Sequence, residues 1–475
     1  MEQEMVINPT WPAEEEPNND YSVDLNGQPA FVHRARVSAH PLNQVWPGYQ
    51  RPLEQTEIAA FVSWDMAAPV ECVVTSAQPV YSVRLRPTAS GLQATVEGNT
   101  IRFTISKPGQ YTVEVNGTHK ALHLFANPPE VDVPQPTDAG VRFFGPGVHC
   151  PGLIHMQSNE TVYIAAGAVV YGVITAEKAD NITIRGRGIL DGSKFDRADV
   201  HGLINTLGCR GVHIEGVILR DPNVWTVIPV VCQQVHIRNI KLIGLWRYNA
   251  DGIDFVNSQH CSVEDSFLRT FDDSIVFKGL HGWGGFQCNL EPVADIQVRR
   301  CVIWNDWGRA LEIGAETIAS EITDLLFEDC DIIHTVHVAL DIQNTDRGHC
   351  HDMLFKNIRI ELDDDFKRPQ MQGYNGQKYS YKATDLYIPP IIEVLVFKGF
   401  WTKDDIRGKA DNIRFEDIEV TAWGIPETHL RGWDEEHAVR NIEIRNLRVN
   451  GVLMTEVEHA GIRVNEFVSD VRLLP

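Results

Sequence analysis

A chain of 475 residues with 43% hydrophobic composition has the length for two or three ordinary domains, or for one domain beside an elongated repeat structure. Its 42 Lys and Arg against 64 Asp and Glu give a formal charge of −22, which argues against nucleic acid or anionic membrane as a partner and disfavours a polyanionic substrate. No stretch reaches the ~20 apolar residues of a membrane span, and nine cysteines without a CxxC pair read as reduced packing residues rather than a disulfide frame or zinc site.

The first twenty residues, "MEQEMVINPTWPAEEEPNND", are acidic and hold no apolar core, so they do not read as a secretory leader. A cytoplasmic setting is expected for this chain, and a secreted or periplasmic one if a leader has been removed. Residues 20–126 then read as short strands between turn signals. "NTIRFTI" from 99 alternates with period two, and Asn116-Gly117 separates two alternating runs in "YTVEVNGTHKALHLF", a hairpin signal. Residues 1–126 are therefore expected to form a small β-sandwich. Four prolines in "ANPPEVDVPQPTD" mark a linker over 127–140.

From 141 to 475 the pattern becomes a repeat. "ITIRGRGI" from 182, "VHIEGVIL" from 212, "VHIRNIKL" from 235, "CSVEDSFL" from 261 and "IQVRRCVI" from 296 alternate apolar and polar residues around an Asn, Gly or charged corner. "LLFEDCDI" from 325, "MLFKNIRI" from 353, "IRFEDIEV" from 413 and "IEIRNLRV" from 442 continue it. The start-to-start spacings are 30, 23, 26, 35, 29, 28, 60 and 29 residues. No repeat of this length buries its inner side chains alone, but coils stacked ~4.8 Å apart share a continuous core and pair their backbones. The fold class expected is all-β, a right-handed parallel β-helix preceded by the sandwich. A leucine-rich horseshoe would need a leucine ladder and a helix per repeat, which the sequence lacks. The 60-residue gap points to a polar, tyrosine-rich insertion at about 363–410, of a size more often functional than ornamental.

Within the repeat, "NADGIDFVNSQHCSVEDSFLRTFDDSIVFKG" (249–279) carries Asp251, the adjacent pair Asp272–Asp273 and Lys278. In stacked coils, residues about one repeat apart lie above one another, so Asp251 and Asp272, 21 positions apart, are expected ~5 Å apart on one face. Both members of the pair can face outward only at a bend or bulge. Carboxyls that close push at least one pKa upward, and an acid beside a base is the requirement of glycosidic hydrolysis. The competing explanation is aspartates that cap turn backbone.

"DPNVWTVIPVVCQQVHIRNIKLIGLWRYNADGID" (221–254) followed by "DDSIVFKG" (272–279) closely resembles glycoside hydrolase family 28, the polygalacturonases and their relatives; "FGPGVHCPGLIHMQSNETVYIAAGAVVYGVI" (144–174) resembles that family's first coils. The likeness runs over about 144–360. A sandwich ahead of a β-helix is similar in architecture to family 49, the dextranase and isopullulanase group. The resemblance implies Asp272 as general acid, Asp251 and Asp273 as bases that hold and deprotonate water, and inversion at the anomeric carbon, whereas a ~5 Å carboxyl separation taken alone implies retention. It implies that Asn249 and Lys278 orient the cluster and touch the sugar.

Departures from the family pattern bear on the substrate. Phe271 and Ser274 replace the Gly and Cys that flank the pair. Arg309 in "WGRALEIGAE" stands where a histidine is expected, and arginine cannot relay a proton. Asp341 and Gln343 in "VALDIQN" occupy the place of the cations that hold a uronate carboxylate, which an aspartate would repel. The activity expected is an inverting hydrolase of α-linked neutral oligo- or polysaccharide, dextran- or pullulan-like. A hydrolase of pectic uronate or rhamnogalacturonan substrates is one alternative, and a non-catalytic carbohydrate-binding β-helix is another. A lyase or epimerase on the same scaffold lacks its calcium-bound uronate and basic partner. Glu312 and Glu316 are candidate hydroxyl acceptors, and Trp283 and Trp307 candidate platforms for sugar rings, each against a packing alternative. His281, His334, His337, His349 and His351 lack ligand spacing. No metal and no cofactor are expected, and a carbohydrate is the expected partner.

Overall fold

The computed structural model describes residues 6–44, 53–363, 367–374, 377–380 and 387–475. Two antiparallel-rich sheets form the N-terminal sandwich. One centres on Thr56–Met66, flanked by Val6–Ile7, His33–Ser38 and Leu122–Asn127, and continues through Gly109–Val115 to Val83–Arg86. The other runs Gln28–Ala30, Tyr21–Leu25, Val70–Ser76, Thr100–Ile105, Thr95–Glu97. Alternation in "TIRFTI" buries Ile101, Phe103 and Ile105 between the sheets with Val23, Val62, Trp64 and Val113. Gly109–Val115 and Leu122–Asn127 do pair as a hairpin.

Thirty-one strands from Val141–Phe144 to Val468–Leu474 then join one sheet system in which nearly all neighbours are parallel. This is a parallel β-helix. The ladder reproduces the spacings of the repeat: Ile182 pairs with Val212, Val212 with Val235, Cys261 with Ile296, Ile296 with Leu325, Leu325 with Met353, Met353 with Ile413 and Ile413 with Ile442. One corner per coil needs a left-handed residue, and Gly216, Asn239, Asp265, Asp329, Asn357, Asp417 and Asn446 supply it with φ between 50° and 81°. Gly, Asn and Asp pay least for that conformation, which is why the corners read as they do; Arg300 takes the same turn at φ 52°.

The tube's interior is apolar, with the rings of Phe327, Phe355 and Phe415 stacked in register. On one outer face the sign of charge alternates coil by coil, Glu215, Arg238, Glu264, Arg299, Glu328, Lys356, Glu416, Arg445, so each side chain within the column lies between opposite charges. The sandwich seats on a second outer face, where Phe61, Ala121 and Phe125 pack on Ile218, Ile243, Phe267 and Trp304. Buried Arg86 binds Glu114 of the sandwich and Glu361 and Asp363 of the helix. The third outer face carries the site.

The stretch read as one insertion is two loops around a regular strand: Ile392–Val396 pairs with Leu340–Asn344 and belongs to the tube. Long loops on both sides hid it from a search for 22- to 30-residue spacing. Part of the first loop, at 364–366, 375–376 and 381–386, lies outside the described residues. The rest leans on the sandwich, Gln370–Gln372 pairing with Leu42–Gln44.

Candidate active site

The third face is built from Ile204–Leu207, Val227–Val230, Ile253–Val256, Ile275–Gly279, Leu311–Thr317, Leu340–Asn344, Ile392–Val396 and Thr428–Arg431, stacked in that order. Alternation turns Ile253, Phe255, Ile275, Phe277, Leu311 and Ile313 inward. It turns Asp254, Val276, Glu312, Asp341 and Glu393 outward in one column. Ile253 pairs with Ile275, an offset of 22, and the Gly252 amide donates to the Asp273 carbonyl, so Asp251 lies in register with Asp273 rather than with Asp272.

Asp272 and Asp273 stand at the corner between strands Phe267–Thr270 and Ile275–Gly279, with Phe271 turned into the core. The bend lets both neighbours face the same side. Thr270 Oγ1 and Asn305 Nδ2 donate to the Asp272 carbonyl at 2.8 and 2.7 Å, clamping the corner. The next coil's corner lies against it: a Cβ on Gly308 would meet Asp272 C at 2.5 Å and Asp273 N at 2.6 Å, so only glycine fits there. That approach lets the Arg309 amide donate to Asp273 Oδ1 at 3.1 Å.

All three aspartates are buried, 2% to 7% exposed, and their electrostatics diverge. Burial, and then the negative charge of Asp273, raises Asp272 to about 7. Burial pushes Asp273 the same way, but Lys278 and Arg309 outweigh it and hold that carboxyl below its usual range. Lys278 Nζ lies 3.7 Å from Asp273 and 3.7 Å from Glu316, and Arg309 Nη1 3.9 Å from Asp273. Asp251 is driven well up by burial and by Asp254, Asp272 and Asp273. Of the three, Asp273 is the one whose surroundings favour the charged form, while those of Asp272 and Asp251 favour the neutral one.

The other expected residues divide. Asn249 sits at the rim with its Oδ1 accepting from Arg197 at 2.8 Å and its Nδ2 3.5 Å from Asp272. Arg309 bridges Asp273 and Asp341, the latter at 3.3 Å. Gln343 donates to Asp341 Oδ2 at 2.7 Å. Asp341 thus spends one oxygen inside the protein; its Oδ1, with Glu312 Oε2 and Asp251 Oδ1, has no partner among the described residues. Trp307 is tied at its edge, Nε1 donating to the Gln370 carbonyl at 3.1 Å with its ring beside Phe271. Trp283 is half-buried: Trp225 covers one face at 4.3 Å and 9°, and the Trp283 Nε1 donates to Asn205 at 3.2 Å.

His334 pairs with Asp363, His349 with Asp411 and His351 with Asp352. His337 is half-buried near Arg309 and Trp307, and desolvation takes it down to about 3. Among the described residues no three His, Cys, Asp or Glu side chains converge on a metal position. Among the described residues no helix is long and apolar enough to cross a membrane. A crevice of about 730 Å³ between sandwich and tube is lined by ion pairs such as Arg300–Asp265 and Arg359–Asp329 and lies apart from the aspartates.

Three participants escaped the sequence reading. Asp254, wholly buried with both oxygens unpartnered among the described residues, is one strand alternation from Ile253 and was legible from "DGID". Asn305 and Arg197 come from other coils, and no local signal marks them.

No family model matches the chain. Its likeness to Dex49A from Penicillium minioluteum has a TM-score of 0.59 at 15% identity and spans 98% of this chain and 90% of that one. Dex49A shares this fold. The exopolygalacturonase of Thermotoga maritima is similar over 70% of this chain and 83% of its own at 18% identity, with a TM-score of 0.48, too loose to carry weight. In sequence, an exopolygalacturonase from Arabidopsis thaliana (clone GBGE184) is 27% identical over 222 residues, 38% of this chain and 52% of that protein. The chain thus matches about half the length of that curated relative.

Proposed function

We propose that this protein is an inverting glycoside hydrolase of α-linked neutral oligo- or polysaccharides. The carrying observation is the adjacent pair with opposed shifts: Asp272 raised to about 7 and Asp273 lowered by its two cations. A carboxyl that keeps its proton near neutrality is a general acid for a glycosidic oxygen, and an ionised neighbour is a general base for water. Asp272 gives its proton to the leaving oxygen as Asp273 takes one from water, which attacks the opposite face of the anomeric carbon. Asp251, whose carboxyl burial and its acidic neighbours push upward, lies in register with Asp273 and helps to hold that water or the sugar.

The use of the cations supports a neutral substrate. Lys278 is committed to Asp273 and Glu316, and Arg309 to Asp273 and Asp341, so a uronate carboxylate would meet acids first. The unpartnered oxygens of Asp341, Glu312 and Asp251 suit sugar hydroxyls. A second reading, hydrolysis of pectic uronates, is favoured by the name of the curated relative, an exopolygalacturonase.

The test is release of reducing sugar from dextran, pullulan, α-galactosides, α-rhamnosides and pectic fragments. The neutral reading expects turnover on a neutral member, with the β-anomer formed first from an α-linkage. Turnover confined to pectic uronates selects the second reading, and a first-formed α-anomer rejects inversion. Turnover by Asp272→Asn equal to that of the parent removes the assigned acid.

A further inference from the structure

The outer face of the site sheet changes character along the axis. At the coils of Asp254, Glu312 and Asp341 it is polar. On the coil before Asp254 the outward positions are Ile228 and Val230, and Val256, two residues beyond Asp254 on its own strand, stacks on Val230; all three are wholly buried, as is Val276 between Asp254 and Glu312. Apolar side chains on the outside of a β-helix need a cover, and the segment after Ile275–Gly279 provides it. Gly282–Trp283 and Phe286–Gln287 pair antiparallel around Gly284-Gly285, whose φ values of 56° and 87° fit a tight hairpin turn. The hairpin folds back over the earlier coils. Trp283 stacks on Trp225 and bonds to Asn205, and Phe286 packs with Val230 and Val256 and closes over Gly208.

The wall ends at the catalytic coil, because Lys278 Nζ sits 5.1 Å from the Trp225 ring. In the other direction the floor opens. Side-chain exposure along the outward column rises from 0% at Asp341 to 15% at Glu393, 32% at His429 and 63% at Arg463. The floor there is charged and hydroxyl-accepting, His429 bridging Glu393 and Glu427 at 2.7 and 2.9 Å.

We infer that the Trp225–Trp283 stack makes the site a pocket closed at one end, so that the protein acts on chain ends, with the remainder of the glycan running over Glu393 and His429 toward Arg463. The inference rests on the hydrolase reading and deepens it. A glycan that bound across the cleavage point in both directions would have to pass through the space that Trp283 and Phe286 fill.

The experiment takes the full-length protein and the polymer it turns over in the substrate panel, and follows product chain lengths by chromatography together with viscosity. End action expects one short product from the earliest time points while viscosity stays near its starting value. An early ladder of intermediate lengths with a rapid fall in viscosity overturns the closed pocket and leaves the hydrolase reading standing. No turnover across the panel overturns the hydrolase reading, and this inference falls with it. Trp283→Ala removes the outer half of the stack and is expected to add internal products; Trp283→Phe keeps a ring against Trp225 and is expected to keep the parent profile. A Trp283→Ala protein that folds, turns over the polymer and retains a pure end-product series also overturns the assignment of the stack as the wall. The parent time course decides the matter even where that variant does not fold.

Discussion

Gly308 is the sharpest place to test the idea that the two corners position the acid pair. In Gly308→Ala the new Cβ would lie 2.5 Å from Asp272 C, 2.6 Å from Asp273 N and 2.7 Å from Asp273 Oδ1. Two of those three atoms are backbone in a corner clamped by Thr270 and Asn305, so no flexible side chain can yield. Ordinary contact begins near ~3.4 Å, and the corners must part by roughly 0.9 Å. Overpacking of that kind costs about 1–3 kcal/mol of stability. The larger effect is on chemistry, since a ~1 Å misplacement of catalytic groups costs on the order of 10²-fold in rate. The shift also weakens the bond from the Arg309 amide to Asp273. The assay is kcat and KM on the substrate that the panel selects, with thermal unfolding measured in parallel. A kcat drop of about 10²-fold with a folded protein is expected. Parental kcat in a folded Gly308→Ala would refute the positioning argument.

Four further outcomes follow. Turnover requires Asp272 to keep its proton, so with that group at about 7 the rate falls as pH rises through neutrality; a pH–rate profile flat from 6 to 9 would contradict the role. Replacing Asp272 by Asn removes the acid at a cost of about 10²- to 10⁴-fold in kcat, with binding of the unreacted glycan retained in calorimetry. Arg86→Met leaves Glu114, Glu361 and Asp363 together in a buried junction, a loss of about 3–5 kcal/mol read by chemical denaturation, and an unchanged midpoint would show that the ion cluster does not hold the sandwich to the tube. His429 is raised to about 9 by its hydrogen bonds to Glu393 and Glu427. A folded-state pKa above the unfolded value of ~6.5 gives stability that is complete below that value and lost as pH rises through about 9; His429→Gln should flatten that limb in a melting series from pH 6 to 10.

The tube was legible because its periodicity is dictated by geometry: every inner residue recurs at alternate positions, and one corner per coil demands Asn, Asp or Gly. Those constraints write themselves into single-letter patterns, and the ladder pairs Met353 with Ile413 across a 60-residue gap just as the alternation required. Strand Ile392–Val396 escaped because nothing near it repeats. The three aspartates were singled out by adjacency together with the family resemblance of the stretch around them, and the structure does bring them together. Their register was not legible. A 21-residue separation and a 22-residue offset look alike in sequence, but they decide whether Asp251 stands beside Asp272 or Asp273, and the ladder aligns it with Asp273. Arg197 and Asn305 reach the site from coils whose own sequences give no reason to single them out.

Trp283 shows how much of an aromatic residue's setting in such a tube lies outside its own sequence. A tryptophan near a carboxylate cluster invites a sugar-stacking role, and the sequence around it, "GWGGFQ", carries a hairpin turn that went unread. The deciding residues are on the other side of the contact. Ile228, Val230 and Val256 occupy outward positions, where exposed polar groups are the rule on a β-helix, and their chemistry requires something apolar above them. An outward-facing apolar triplet next to an outward-facing acidic column therefore marks the stretch of sheet that the hairpin covers, with the boundary at Lys278. Because side chains on one face recur with the coil, the same arithmetic that stacks Asp254, Glu312, Asp341 and Glu393 into a floor places the end wall one coil before it. The position of the wall is thus fixed by register rather than by loop length, and moving it would take substitutions in the strands as well as in the hairpin.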